Sequence, residues 1–136
     1  EASGSTARPT VVGHSMGGVI LVDMLTNPGA SQLPADLSVD ALLTVGSQPG
    51  FFATLDLLAP NPPDGSPRRR PDCVKNWLNV FDPIDPLAFR TDMIFKDAED
   101  FAFNAMTGIA EAHSKYFQRP QFYARSRKRL RELKVL

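Results

Sequence analysis

The sequence predicts an α/β fold, a mostly parallel sheet with flanking helices, and three observations carry that expectation. Two short apolar segments rich in β-branched residues, Pro9-Thr10-Val11-Val12-Gly13 and Ala41-Leu42-Leu43-Thr44-Val45, have the continuous hydrophobicity of strands covered on both faces. An apolar helical segment, Met16 to Thr26, lies between them and makes a βαβ unit, for which a right-handed crossover is the default. A third strand candidate, Trp77-Leu78-Asn79-Val80-Phe81, runs into Asp82-Pro83-Ile84-Asp85-Pro86, where two prolines forbid further ladder pairing.

Each element has a local reason. The first strand follows a small, polar lead over residues 1–8 and runs directly into a turn. The helix after it carries Val19, Ile20, Leu21, Val22, Met24 and Leu25, so few positions are polar, and an all-round apolar helix belongs in a core. Asn27-Pro28-Gly29 stops it. Residues 30–38 read as a polar connection, and Gly46-Ser47 closes the second strand. Residues 47–72 form a proline-rich insertion that sustains no ladder, ending in Asn61-Pro62-Pro63-Asp64-Gly65-Ser66-Pro67 and the arginine run 68–70. Within it, Phe51 to Ala59 is apolar enough for a short helix, which either patches the core or serves as a lid. A fourth strand is expected over Asp100-Phe101-Ala102-Phe103-Asn104, where phenylalanines alternate with other residues. From Pro120 the chain reads as a basic helix over 120–136, with Phe122, Ser126, Leu130 and Leu133 on one face.

Composition bounds the function classes. With 136 residues, 43% hydrophobic and 22% charged, the chain fits one globular domain. Fifteen basic and fifteen acidic residues balance to a formal net charge of +0, so no global field draws it to nucleic acid. No apolar run approaches the roughly 18 to 20 residues of a membrane span, so no stable membrane insertion is expected. Cys73 is the single cysteine, which excludes an intrachain disulfide and suits a reducing compartment such as the cytoplasm.

The residues with chemistry to offer begin at Gly13-His14-Ser15-Met16-Gly17-Gly18, a G-x-S-x-G pattern placed between a strand and a helix. That context is what a nucleophile elbow requires. A tight turn holds the serine in a strained conformation, and the glycines two before and two after it avoid side-chain clashes. The strain lifts the hydroxyl out of the fold. The following helix aims its first amides at the same spot, and the Met16 N–H becomes a donor to the oxyanion of a tetrahedral intermediate. At ordinary Gly and Ser frequencies the bare pattern arises by accident in about 4% of chains this long. The strand before it, the apolar helix after it and Gly18 make the coincidence rarer.

With these residues the chain resembles the C-terminal half of an α/β-hydrolase, a lipase-like or esterase-like serine hydrolase. In that class the triad runs Ser, then Asp or Glu, then His along the chain. The same order is present: Ser15, then Asp82 and Asp85 after the third strand, then His113. The chain has only two histidines. His14 adjoins Ser15, where neighbouring side chains diverge, so it packs beneath the elbow or lines an acyl pocket, and the base is His113. Asp82 and Asp85 are both candidates for the acid. Asn79 to Arg90 is similar to a segment of lipase-like hydrolases, including phosphatidic-acid-preferring phospholipases, in which the second acidic position, before Pro, is the triad member. The resemblance therefore favours Asp85, while Asp82 differs from the His often found there and reads also as a turn residue before Pro83.

The resemblance implies a carboxylic ester hydrolase working through an acyl-enzyme, with Ser15, Asp85 and His113 as the triad, Met16 as one oxyanion donor, a small-molecule or lipid ester as substrate, and no cofactor or metal. Met16, Phe51, Phe52 and Leu55 supply an apolar setting for the acyl group. Complete domains of this class have about eight strands, so the expectation is a partial domain whose N-terminal strands and second oxyanion donor lie upstream of Glu1. A competing reading is a non-catalytic or degenerate hydrolase-like module, whose Arg68 to Arg70 run and basic tail engage an acidic partner or membrane surface.

Overall fold

Successive residues of a strand face opposite sides, so a strand apolar at every position needs cover on both. Leu42 and Leu43 show that cover: each is at most 5% exposed, and they belong to different hydrophobic clusters. The computed structural model describes residues 8–58 and 62–136. Within them β1 (Thr10–His14), β2 (Val39–Val45), β3 (Val74–Phe81) and β4 (Ala98–Ala102) form a four-stranded, all-parallel sheet in sequence order. Register runs from His14 opposite Val45, through Val45 opposite Val80, to Phe81 opposite Ala102, so the strand ends align along one edge. The fold is α/β, with helices α1 (Met16–Thr26), α2 (Pro49–Thr54), α3 (Ile109–Ala112) and α4 (Pro120–Glu132) and a 3-10 turn at Tyr116–Gln118.

One face of the sheet holds Val22 and Leu25 of α1 with Leu42, Trp77, Phe95 and Ala98. The other holds Leu43, Val45, Leu78 and Val80 under Phe103, Tyr116 and Phe122. As the pattern of the basic tail anticipates, α4 buries Phe122, Ser126 and Leu130, and Leu133 packs partly against the same cluster, but the helix expected over 120–136 ends at Glu132, where the chain turns through Lys134 at φ 57°. Its outer face is charged, but two of its arginines do more than meet solvent: Arg125 lies 5.8 Å from the ring centre of Phe103 and Arg129 5.2 Å from that of Phe101. No helix among the described residues is long and apolar enough to cross a membrane.

Several boundaries differ from the sequence reading, each for a physical reason. The helix expected over 51–59 spans Pro49–Thr54 instead, because Pro49 suits a first helical turn. Ala53 and Leu58 reach the core, Phe51 remains exposed and stacks on Phe89 at 4.8 Å, and the expected end at Ala59 lies outside the described residues. β4 starts at Ala98 rather than Asp100, since parallel pairing sets Ala98 opposite Trp77; Phe103 follows the strand and buries in the second cluster. α1 is not enclosed all round. Gly18, Val19, Val22 and Leu25 are buried, but Met16 and Ile20 are about half exposed, for no described element lies over the outer face.

Candidate active site

Parallel strands with aligned ends gather their following loops at one edge, where open α/β sheets place ligands. Three such loops supply the candidate residues. Ser15 follows β1, Asp85 lies in the loop after β3, and His113 follows β4 at the end of α3. They converge: His113 Nε2 stands 2.9 Å from Ser15 Oγ, and His113 Nδ1 stands 3.0 Å from Asp85 Oδ2. Since a carboxylate only accepts, Nδ1 carries the proton, and the lone pair on Nε2 faces the serine hydroxyl.

The elbow around Ser15 has the strain its pattern implies. Ser15 holds φ 54° and ψ −130°, a region that disfavours a residue bearing Cβ. Two contacts hold it there: the Ser15 N–H donates to Val45 O at 3.0 Å, and Ser47 Oγ donates to Ser15 O at 2.6 Å. The glycine requirement is only half as the pattern predicts. A Cβ on Gly13 would sit 2.6 Å from Gly18 Cα, so Gly13 is obligatory, whereas one on Gly17 would meet nothing within 4 Å among the described residues. The second intolerant position is Gly18, whose Cβ would collide with the Ser47 side chain. Gly18→Ala is expected to cost about 1 to 3 kcal/mol through overpacking, and Gly17→Ala to stay within roughly 1 kcal/mol of wild type or gain from helix propensity. Thermal melts of the two variants check this; equal midpoints would contradict it.

The two aspartates have separate environments. Asp85 has a side chain with 0% exposure, and its Oδ1 accepts the Leu87 N–H at 2.9 Å. Its Oδ2 accepts hydrogen bonds from His113 Nδ1–H and from a second donor, the Tyr116 hydroxyl at 2.9 Å. Asp82 is also fully buried, but its carboxylate oxygens bond to backbone amides rather than to His113. Its Oδ1 accepts the Ile84 N–H at 3.1 Å, closing a turn across Pro83, and its Oδ2 accepts the Ala105 N–H at 2.6 Å. Asp82 thus ties the loop after β3 to the one after β4.

His14 neither lies simply beneath the elbow nor reaches the serine. Its Nε2–H donates to His113 O at 2.9 Å, and its ring stacks on the His113 ring with centroids 5.0 Å apart. Met16 opens α1 beside Ser15 and is 47% exposed. Cys73, the single thiol, is no rival: burial pushes its thiol pKa up, its Sγ–H points at Leu25 O at 3.5 Å, and it precedes β3 at the opposite end of the sheet.

Sequence reasoning missed the residues that hold these loops. Gln48 Nε2 donates to Leu87 O and, at 3.2 Å, to Gly46 O, joining the turn after β2 to the loop that carries Asp85. Asn79, fully buried in β3, donates to Phe89 O and Asp100 Oδ1, both at 2.9 Å, and accepts from Thr44 Oγ1. Asp100 also receives the Thr91 N–H at 3.0 Å. Burial raises the Asp100 pKa, with the Asn79 hydrogen bond opposing it. A signal did exist, since Asn79 interrupts the otherwise apolar stretch Trp77–Phe81 and the polar pair Ser47-Gln48 follows another strand.

The arginine run is engaged within the fold. Arg68 is 9% exposed and pairs with Asp56 at 3.7 Å, Arg69 pairs with Asp97 at 2.9 Å, and Arg70 donates to Val74 O at 2.7 Å. No family model, curated protein or solved structure matches the chain.

Proposed function

We propose that this chain is a serine hydrolase of the α/β-hydrolase type that cleaves carboxylic esters by acyl transfer, with Ser15 as nucleophile, His113 as base and Asp85 as the acid that orients it. One observation carries the reading: a continuous hydrogen-bonded chain, Ser15 Oγ to His113 Nε2 and His113 Nδ1 to Asp85 Oδ2, assembled from three separate loops on a strained serine. A chance cluster of polar residues has no reason to order a nucleophile, a base and an orienting group in that sequence.

The chemistry follows from those contacts. His113 Nε2 takes the Ser15 proton as Oγ attacks the ester carbonyl, and Asp85 stabilises the resulting imidazolium. The Met16 N–H, the first amide of α1, donates to the developing oxyanion, where the positive end of the helix reinforces it. Collapse of the tetrahedral intermediate breaks the C–O bond to the leaving alcohol, which receives the proton from His113. Water, deprotonated by the same imidazole, then attacks the acyl-enzyme and releases the acid and Ser15. The balance requires only ester and water. Exposed apolar side chains in the segments that follow the strands at the same sheet edge, Met16 at the start of α1, Phe51 in α2 and Leu87 in the loop after β3, favour an apolar acyl group, as in a lipid ester.

A fluorophosphonate probe tests the reading, because it phosphonylates a serine only where a base activates it. Labelling mapped to Ser15, together with turnover of a nitrophenyl ester, is the expected result. A folded protein that takes no label would favour the non-catalytic module instead. That alternative draws little from the arginine run, whose members pair internally.

A further inference from the structure

We infer that Tyr116 is a positioning residue of the proposed triad, its hydroxyl fixing the Asp85 carboxylate in the place from which Oδ2 reaches His113; the inference rests on the hydrolase reading above. The direction of each bond at the phenol is dictated by chemistry. The Asp82 N–H can only donate, and it lies 2.8 Å from Tyr116 Oη. The phenolic proton is therefore left for Asp85 Oδ2, a pure acceptor at 2.9 Å. Burial, the largest effect, and the neighbouring Asp85 carboxylate raise the tyrosine pKa, so the proton stays on the phenol.

The ring has little freedom to move. Tyr116 is 0% exposed and packs among Phe103, Phe122 and the strands beneath. Gly46 borders it with φ +52°, and a Cβ there would stand 2.7 Å from Tyr116 Cε2 and 3.2 Å from Asp85 Oδ2. The turn after β2 is thus shaped to admit this ring beside the acid. Tyr116 also lies three residues after His113, so one short segment sends both the imidazole and the phenol to a single carboxylate oxygen. A tyrosine with a merely space-filling role needs its hydroxyl satisfied by any acceptor. This one is bonded to the atom that His113 uses. Because the Asp85 side chain is fully buried, its charge depends on such fixed donors, and loss of one leaves the carboxylate free to rotate away from Nδ1.

The test compares Tyr116→Phe with Tyr123→Phe in the full chain. Tyr123 is a control from the same stretch: it is 55% exposed, and its hydroxyl donates only to Phe117 O at 2.8 Å. Five quantities are read: the rate of fluorophosphonate labelling, kcat and KM on a nitrophenyl ester, the thermal midpoint, and the low-field proton resonance of His113 Nδ1–H. Tyr116→Phe is expected to lower kcat and the labelling rate on the order of 10- to 100-fold, with KM nearly unchanged, and to shift or broaden the resonance. Tyr123→Phe is expected to alter none of these. A folded Tyr116→Phe protein with kcat within about twofold of wild type and an unmoved resonance would overturn the inference. Should Tyr116→Phe fail to fold, ring-fluorinated tyrosine at 116 keeps the shape and hydroxyl but strengthens the donor; an unmoved resonance there overturns it equally. Wild-type protein that takes no label sinks the hydrolase reading, and the resonance then still decides whether Tyr116 holds Asp85.

Discussion

Ser15→Ala is expected to abolish ester hydrolysis, lowering kcat on the order of 10⁶-fold, because removal of a triad nucleophile removes the covalent route altogether. The variant separates chemistry from folding. The contacts that hold the elbow use the Ser15 backbone, its N–H to Val45 O and its carbonyl from Ser47 Oγ, and an alanine retains both. The side chain itself contributes only the bond to His113 Nε2. A thermal midpoint close to wild type should therefore accompany the loss of turnover and of fluorophosphonate labelling. Retention of even a tenth of the activity would exclude Ser15 as the nucleophile, and with it the reading built on this elbow.

How far the sequence led depended on the range of the interaction concerned. The strands were legible because burial on both faces writes an unbroken apolar run, as in Ala41 to Val45, which lies wholly within β2. The span of α1 was legible from Asn27-Pro28-Gly29 at its end, and the elbow from a pattern whose chemistry is local. Even there, the identity of the second intolerant glycine was not, since Gly18 is constrained by Ser47, a residue on another strand's exit. The helix α2 began earlier than its apolar content indicated, because a proline at the first turn outweighs the phenylalanines after it. Two of the three residues of the proposed triad were legible. Ser15 and His113 follow from a motif and a short supply of histidines, but the choice between Asp82 and Asp85 rested on resemblance. Tyr116, Gln48 and Asn79 went unseen because their partners lie far along the chain: Tyr116 meets Asp85 across 31 positions and Gln48 meets Leu87 across 39. No periodicity records a contact of that length.

The pair of aspartates offers the other large effect, and the geometry separates them. Asp85→Asn is expected to cost on the order of 10⁴-fold in kcat. Either orientation of the amide fails. With its oxygen kept toward the Leu87 N–H, the NH2 group faces both the Tyr116 hydroxyl and His113 Nδ1, which forces the proton onto Nε2 and turns the base into a donor toward Ser15. With the amide reversed, the imidazole keeps its acceptor, but the NH2 group confronts the Leu87 N–H and the loop loses its anchor. Asp82→Asn changes a different junction. It puts one donor against either the Ile84 or the Ala105 N–H, a stability cost of about 1 to 3 kcal/mol, and leaves the His113–Asp85 bond in place. The expected pattern is thus two proteins that both fold with lowered thermal midpoints, Asp85→Asn nearly inactive and Asp82→Asn losing far less kcat, read from steady-state kinetics and thermal melts of the two. If the kinetic losses came out the other way round, the role of orienting acid would pass to Asp82, and the 3.0 Å contact between His113 Nδ1 and Asp85 Oδ2 would have no part in turnover.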